Sequence, residues 1–184
     1  APDVLWDLPD ELHPYRTEIA ATVRPYIAMA SVDAPPEPPT GSQLGGLAWW
    51  PADEPYPTAA DGRTPLHLLA QINFNDVPRI GLFPAKGLLQ IFIAADAHYG
   101  CDFTHAGSAP GFRCVFHRDL TRPALEPQDY LTLGPELSPL TTPLQPRALL
   151  FDQATMAIDP TDYRFPEALW EICQDPELYQ AYIE

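Results

Sequence analysis

The sequence predicts an α+β fold: an N-terminal helix, a central, mainly antiparallel β-sheet with long proline-rich loops, and C-terminal helices. Three observations predict it. Apolar residues recur at helical spacing near the N-terminus, short apolar runs of strand length fill the middle, and two proline-initiated helix starts follow near the C-terminus. Because helices and strands are segregated along the chain, an α+β arrangement is favoured over a βαβ array.

The first helix is predicted over residues 13–21. Its apolar face recurs at helical spacing, Pro14 suits the first turn, and Pro25 ends the helix. A strand is predicted over 26–32, and the proline-rich residues 33–39 form a stiff, extended connector. The residues of the helical face are Leu12, Tyr15, Ile19 and Val23.

Four further strands are predicted over 66–74, 87–93, 112–116 and 147–151, where apolar runs are bounded by proline and glycine. Residues 121–145 are rich in proline and are expected on the surface. Pro166 and Pro176 each begin a C-terminal helix, and Asp175 caps the second. The apolar faces of these helices are predicted to consist of Leu169, Trp170, Cys173, Leu178, Tyr179 and Tyr182.

Charge is the dominant global feature. The 184 residues contain 25 Asp and Glu against 10 Lys and Arg, a net charge of -15. Residues 33–62 carry a net -5 and residues 151–184 a net -7, so most of the excess lies in two segments. If the two segments meet, they form one negative face that repels nucleic acid and anionic membranes and attracts cationic proteins. The alternative is that the charge only maintains solubility.

Length and composition favour a single domain over residues 1–184. No apolar run is long enough to span a bilayer, and the first ten residues lack the basic group of a signal peptide. Cys101, Cys114 and Cys173 are odd in number, which indicates reduced thiols. A cytoplasmic location is therefore expected.

Several sequence blocks are similar to those of a known family. They are GGLAWWP at 45–51, PYP at 55–57, LLAQINF at 68–74, FPAKGLLQIFI at 83–93, YG at 99–100, FR at 112–113 and DYRF at 162–165. Together they resemble the YwqG-like family, a domain of unknown function without established catalytic residues. Members typically carry a second Gly-Gly-containing half, so the resemblance implies a short member or the N-terminal part of one. Relatives neighbour secreted polymorphic toxins, which implies an immunity protein.

Buried-type polar residues have a functional and a structural interpretation. Gln71 and Gln90 lie inside apolar runs and either face a ligand or, as we expect, bond across adjacent strands or to backbone. Gly45 and Gly46 lack the remaining glycines and lysine of a phosphate-binding loop, so a tight turn with positive φ is the preferred explanation.

One group of residues has mixed metal-ligand chemistry: His98, Cys101, His105, Cys114 and His117. Cys114 and His117 are three residues apart, which places them on opposite faces of a strand. We therefore predict no metal site. No catalytic signature is found either, so the sequence predicts a protein that is not an enzyme and needs no cofactor.

Trp49, Trp50 and Tyr56 accompany Asp53, Glu54 and Asp61 in one loop-rich stretch. If this stretch is a strand, one Trp faces inward and the other outward as an interface anchor; the alternative is that both pack inside. The predicted partner-binding set comprises Trp49, Trp50, Asp53, Glu54, Tyr56, Asp61, Asp96, Asp102, Glu167, Glu171, Asp175 and Glu177.

The leading hypothesis is an acidic immunity protein that occludes the basic active site of a cognate intracellular toxin, with a nuclease as the expected toxin class. An enzyme or small-ligand binder with a pocket near Gly45 and Gly46 is the alternative. A scaffold module without a toxin is the third possibility.

Overall fold

The structure is a computed structural model that describes residues 8–81, 83–103, 111–126, 138–140 and 144–183. It confirms the α+β class. A six-stranded antiparallel sheet has the strand order β1-β6-β2-β3-β4-β5, and helices lie at both ends of the chain. No helix in these ranges combines the length and apolarity needed to cross a membrane.

The N-terminal helix begins as a 3-10 helix, Asp10–Tyr15, and continues as α1, Arg16–Thr22. Pro14 lies inside the 3-10 segment. Because proline has no backbone N–H and clashes with the preceding turn, regular α-helix starts only after it. At the other end, Thr22 Oγ1 donates to the Ile19 carbonyl at 2.7 Å, and Val23 leaves the helix with extended backbone. The predicted helix is therefore confirmed, with a tighter first turn.

The sheet consists of β1 (Arg24–Val32), β2 (Gln43–Leu44), β3 (His67–Asn73), β4 (Leu88–Ile93), β5 (Phe112–His117) and β6 (Arg147–Met156). All five predicted strands are confirmed. The two-residue strand β2 was not predicted, because so short a strand has no periodicity to detect. Strand β6 is longer than predicted, since it continues through the polar residues that follow Phe151.

The C-terminal helical segment consists of a 3-10 helix, Glu167–Leu169, followed by α2 (Trp170–Gln174) and α3 (Pro176–Ile183). Asp175 Oδ1 accepts the backbone N–H groups of Glu177 at 2.8 Å and Leu178 at 3.2 Å. This is the predicted cap, with Pro176 as the first helical residue. Most of the predicted proline-rich surface stretch lies outside the described residues.

The chain divides into two compact units. The helical unit comprises Ala1–Ala28 and Gln153–Glu184, and the sheet unit comprises Met29–Asp152. The core of the helical unit is formed by Leu12, Ile19, Phe165, Leu169 and Ile172. A core cluster of the sheet unit is formed by Ala48, Trp50, Leu66, Leu68 and Phe92.

One face of the sheet unit carries a row of amides. The register places Gln43 opposite Gln71, and Gln71 opposite Gln90. A β-bulge at Leu69 shifts the register between Leu68 and Ala70. Because side chains alternate along a strand, the extra residue brings Leu68 and Gln71 to the same face.

Gly45 and Gly46 form the predicted tight turn, which follows β2. Their φ values are +60° and +72°, a region that favours glycine. A Cβ on Gly46 would lie 2.7 Å from the Pro146 Cβ. Close packing against Pro146 therefore accounts for this glycine.

Candidate partner-binding site

The amide row is a saturated hydrogen-bond network. Gln90 Nε2 donates to the Trp49 carbonyl at 2.6 Å and to Gln71 Oε1 at 2.7 Å. Gln71 Nε2 donates to the carbonyls of Pro39 at 3.0 Å and Gly41 at 2.9 Å. Both glutamines are fully buried. The structural interpretation of these amides is confirmed: they bind backbone carbonyls on either side of β2, at Pro39, Gly41 and Trp49.

Trp49 and Trp50 pack inside the sheet unit, with exposed fractions of only 7% and 4%. Neither lies in a strand. The interpretation that both tryptophans pack inside is therefore confirmed, and the alternative, in which one of them faces outward as an interface anchor, is wrong. The loop conformation removes the two-residue alternation on which it was based, so both rings meet the His117 ring edge-on, at 5.4 Å and 5.0 Å between centroids.

His117 has a structural environment. Its Nε2 lies 3.0 Å from Gln90 Oε1, and burial lowers the pKa of the imidazole below 6.5. Cys114 is exposed on the opposite face of β5, as predicted. His105 lies outside the described residues. Among the residues that are described, no group of three or more His, Cys, Asp or Glu side chains is placed to hold a metal ion. All three cysteines are free.

The acids beside the tryptophans have partners within the sheet unit. Arg122 forms ion pairs with both Asp53 and Glu54. Asp61 Oδ1 accepts the backbone N–H groups of Arg63 and Thr64, each at 2.9 Å, and the Thr64 hydroxyl donates to Oδ2 at 2.5 Å. These bonds, led by that of the hydroxyl, lower the pKa of Asp61 to about 2. Asp61 thus stabilises its own turn, whereas Asp53 and Glu54 connect their loop to Arg122.

Tyr56 also packs within this unit. It is half-buried, meets the rings of Trp50 and Phe92 edge-on, and donates its hydroxyl to the Leu66 carbonyl at 3.3 Å. Its hydroxyl is therefore already hydrogen-bonded within the sheet unit.

Asp96 and Asp102 flank a turn after β4. Asp96 Oδ1 accepts the N–H groups of His98 at 2.8 Å and Gly100 at 3.0 Å, and the bond from Gly100 lowers the pKa of the carboxyl. Asp96 is exposed, whereas Asp102 is half-buried. Both residues line a cavity of about 390 Å³ in the sheet unit. The structure brings these two predicted residues together.

The four predicted acids of the helical unit are all exposed: Glu167, Glu171, Asp175 and Glu177. Asp175 is used by the α3 cap. Glu171 Oε2 accepts the Tyr15 hydroxyl at 2.8 Å, which raises the pKa of Tyr15. The side-chain carboxylates of Glu167 and Glu177 accept no hydrogen bond from the described residues.

Two exposed aromatic residues accompany these acids. Trp170 is 53% exposed and Tyr163 is 93% exposed. The prediction that Trp170 and Cys173 belong to the buried helical face is wrong. Leu169 and Ile172 form the buried face of this segment, so Trp170 and Cys173, each one residue and about 100° further around the helix, face solvent. A one-residue shift of the helical phase was not detectable from spacing alone.

The helical unit holds a disproportionate share of the charge. It contains 12 acidic residues and three arginines, a net charge of -9, whereas the larger sheet unit has a net charge of -6. Of the three arginines, Arg164 pairs with Asp162. We define the acidic Trp170 surface as Trp170 with Glu167, Glu171 and Glu177.

These features define an acidic α+β domain whose buried amides are hydrogen-bonded internally and whose helical unit exposes a Trp beside carboxylates. The chain belongs to the family described as Domain of unknown function (DUF1963), whose sequence profile matches residues 42–182. The match extends over parts of both units. No curated protein matches the chain significantly.

Proposed function

We propose that this protein binds a cationic protein partner through the acidic Trp170 surface, and that it is a cytoplasmic immunity protein. Its cognate partner would be an intracellular bacterial toxin with a basic active site, with a nuclease as the expected class. The single observation that carries the proposal is the exposed Trp170 among carboxylates in a unit of net charge -9.

Charge supports the choice of partner. A nuclease groove is basic because it binds phosphates, and complementary charge accelerates association with an acidic inhibitor. Glu167 and Glu177 are exposed, and their carboxylates accept no hydrogen bond from the described residues, so a partner can pair with these carboxylates without breaking an internal contact.

Trp170 supports a specific interface because large aromatic side chains dominate the binding energy of many interfaces. It sits on a helix whose neighbouring residues, Leu169 and Ile172, are fully buried. Tyr15 is hydrogen-bonded to Glu171 and holds the adjacent carboxylate in place. The surface is therefore organised before a partner arrives, which lowers the entropic cost of binding.

The choice of a toxin as the partner comes from the sequence blocks that resemble the YwqG-like family, whose members neighbour polymorphic toxins. Membership of a domain family of unknown function adds no activity of its own. The proposal therefore combines a surface of defined chemistry with a partner class taken from that resemblance.

The test measures binding between the purified protein and the toxin encoded beside its gene, by calorimetry at low and moderate salt. We expect a complex that weakens with salt, and a Trp170→Ala variant that binds at least about 30-fold more weakly, as for an interface hot spot. The double variant Glu167→Lys, Glu177→Lys should bind much more weakly still.

A matched control is the double variant Glu37→Lys, Glu126→Lys, which changes the net charge equally but lies in the sheet unit. We expect this control to retain most of the affinity. Absence of a complex at low salt, or equal loss in both double variants, would reject the acidic Trp170 surface as the binding site.

A further inference from the structure

The cavity beside the turn after β4 has a defined lining. Its volume of about 390 Å³ is in the range of small-molecule and side-chain pockets. Besides alanine and glycine residues, its lining includes two aspartates, a histidine, a cysteine and a phenylalanine. The residues concerned are Ala59, Ala94, Asp96, His98, Cys101, Asp102 and Phe103.

Two glycines shape this cavity. A Cβ on Gly100 would lie 2.0 Å from the Gly111 carbonyl oxygen, and a Cβ on Gly111 would lie 2.4 Å from the Gly100 Cα. Gly100 also has a φ of +84°. The close approach of the two backbones, together with the bonds that Asp96 accepts, fixes the turn that carries His98 and Phe103.

The negative charge of the lining favours a cationic ligand. Asp96 and Asp102 both line the cavity, and no Lys or Arg from the described part of the chain does. The hydrogen bond from Gly100 lowers the pKa of Asp96, so this carboxylate is ionised at neutral pH. Phe103 is 76% exposed, and its ring is met edge-on by His98 at 5.3 Å between centroids. A face of the Phe103 ring therefore stays accessible next to negative charge.

We infer that this cavity receives an arginine side chain of the cationic partner, an inference that rests on the proposed function. The guanidinium group stacks on Phe103 and donates to the carboxylates of Asp96 and Asp102, while its aliphatic stem contacts Ala59 and Ala94. Arginine suits the site better than lysine because its planar, weakly hydrated cation both stacks on an aromatic ring and bonds to two carboxylates.

The experiment titrates isotope-labelled protein with Nα-acetyl-arginine amide and follows backbone amide resonances by NMR. We expect saturable shifts confined to residues 94–103 and to Ala59 and Gly111. Nα-acetyl-leucine amide should produce none, and Nα-acetyl-lysine amide should bind several-fold more weakly. Shifts that do not saturate, or that are equal for all three probes, would overturn the inference.

Variants identify the groups that bind. Phe103→Leu should weaken arginine amide binding roughly three- to tenfold through loss of the cation–π contact, whereas Phe103→Trp should retain it. Asp102→Asn should weaken binding comparably. The control Asp119→Asn removes a carboxylate of the same unit that does not line the cavity, and should have no effect. Unchanged binding in both Phe103→Leu and Asp102→Asn contradicts the assignment.

The toxin experiment separates this inference from the proposed function. A toxin that binds both cavity variants as tightly as the unmodified protein overturns the arginine site, while the acidic Trp170 surface stands. If the protein binds arginine amide in the cavity but forms no complex with the toxin, the proposed function fails while the affinity of the cavity for a guanidinium is supported.

Discussion

His117 Nε2 lies 3.0 Å from Gln90 Oε1, and this contact fixes the tautomer of the imidazole. Gln90 uses its amide nitrogen to donate to Trp49 and Gln71, so its oxygen is the group left to accept. The proton of neutral His117 must therefore reside on Nε2. A directed chain of donors runs from His117 through Gln90 to Gln71 and ends on backbone carbonyls.

Replacing Gln90 with Leu should lower the free energy of unfolding by several kcal/mol. The substitution preserves approximate volume but leaves His117 Nε2 and the Trp49 carbonyl without their bonds, and each buried orphan group costs about 1–3 kcal/mol. Urea unfolding measures the change. The half-buried Leu89, one residue earlier in β4, provides a control as Leu89→Met, which should cost less than about 1.5 kcal/mol.

Acidification should destabilise the protein through His117. Burial lowers the pKa of His117 below its usual 6.5 in the folded state, so the unfolded chain binds this proton first. The contribution of neutral His117 to the free energy of unfolding is then fully present above pH 6.5, and it is lost as the pH drops from 6.5 towards the pKa of the folded state. The urea midpoint, measured from about pH 7.5 to about pH 5.5, should decrease more steeply than in a His117→Gln variant.

An equal slope in the unmodified protein and the His117→Gln variant would contradict the assignment to His117, because the remaining ionisable groups would then account for all of the change.

Variants of Trp170 and of its neighbour Leu169 should distinguish a residue used for binding from one needed for stability. Trp170→Ala removes a solvent-facing side chain and should change the free energy of unfolding by no more than about 0.5 kcal/mol. Leu169→Ala empties a fully buried position and should cost about 2–5 kcal/mol. Thermal unfolding compares them. Large destabilisation by Trp170→Ala would mean that this ring has a structural role.

Two glycines of positive φ offer a matched test of the cavity wall. Gly62 has a φ of +66°, and a Cβ added to it would meet no atom within 4 Å, so Gly62→Ala should cost only about 1–2 kcal/mol of backbone strain. Gly100→Ala adds a clash with Gly111 and should cost clearly more. Urea unfolding compares the two variants. Equal unfolding midpoints would show that the turn adjusts without resistance.

Much of the fold follows from local patterns. The strand-length runs that became β3, β4 and β5 and the Asp175 cap were all predictable, because they depend on neighbours in sequence. The two-residue strand β2 was not, since its existence depends on pairing with β3 and β6. Likewise, the exposure of Trp170 depends on which of two adjacent apolar faces packs inward, and the sequence spacing does not distinguish the face of Leu169 and Ile172 from that of Trp170 and Cys173.

The candidate site was predictable in chemistry but only partly in position. An aromatic anchor among acids was expected at Trp49 and Trp50, where the loop instead buries both rings. Arg122, distant in sequence, pairs with Asp53 and Glu54, and nothing in the local sequence indicates such a partner. Asp96 and Asp102 were predicted as partner-binding acids, but the cavity that both line is also lined by Gly111, which local sequence does not connect to them.

The extra residue in β3 lets one strand contribute to two kinds of core. Up to Leu68 its inward side chains pack in a hydrophobic cluster, and from Gln71 onward they belong to the hydrogen-bond network of the amides. Deleting Leu69 would rotate one half of the strand by a half-turn, exposing either the hydrocarbon or the amide. The number of residues in β3 therefore determines which side chains face the hydrophobic cluster and which face the amides. Insertions or deletions should be tolerated only in the loops on either side of the strand.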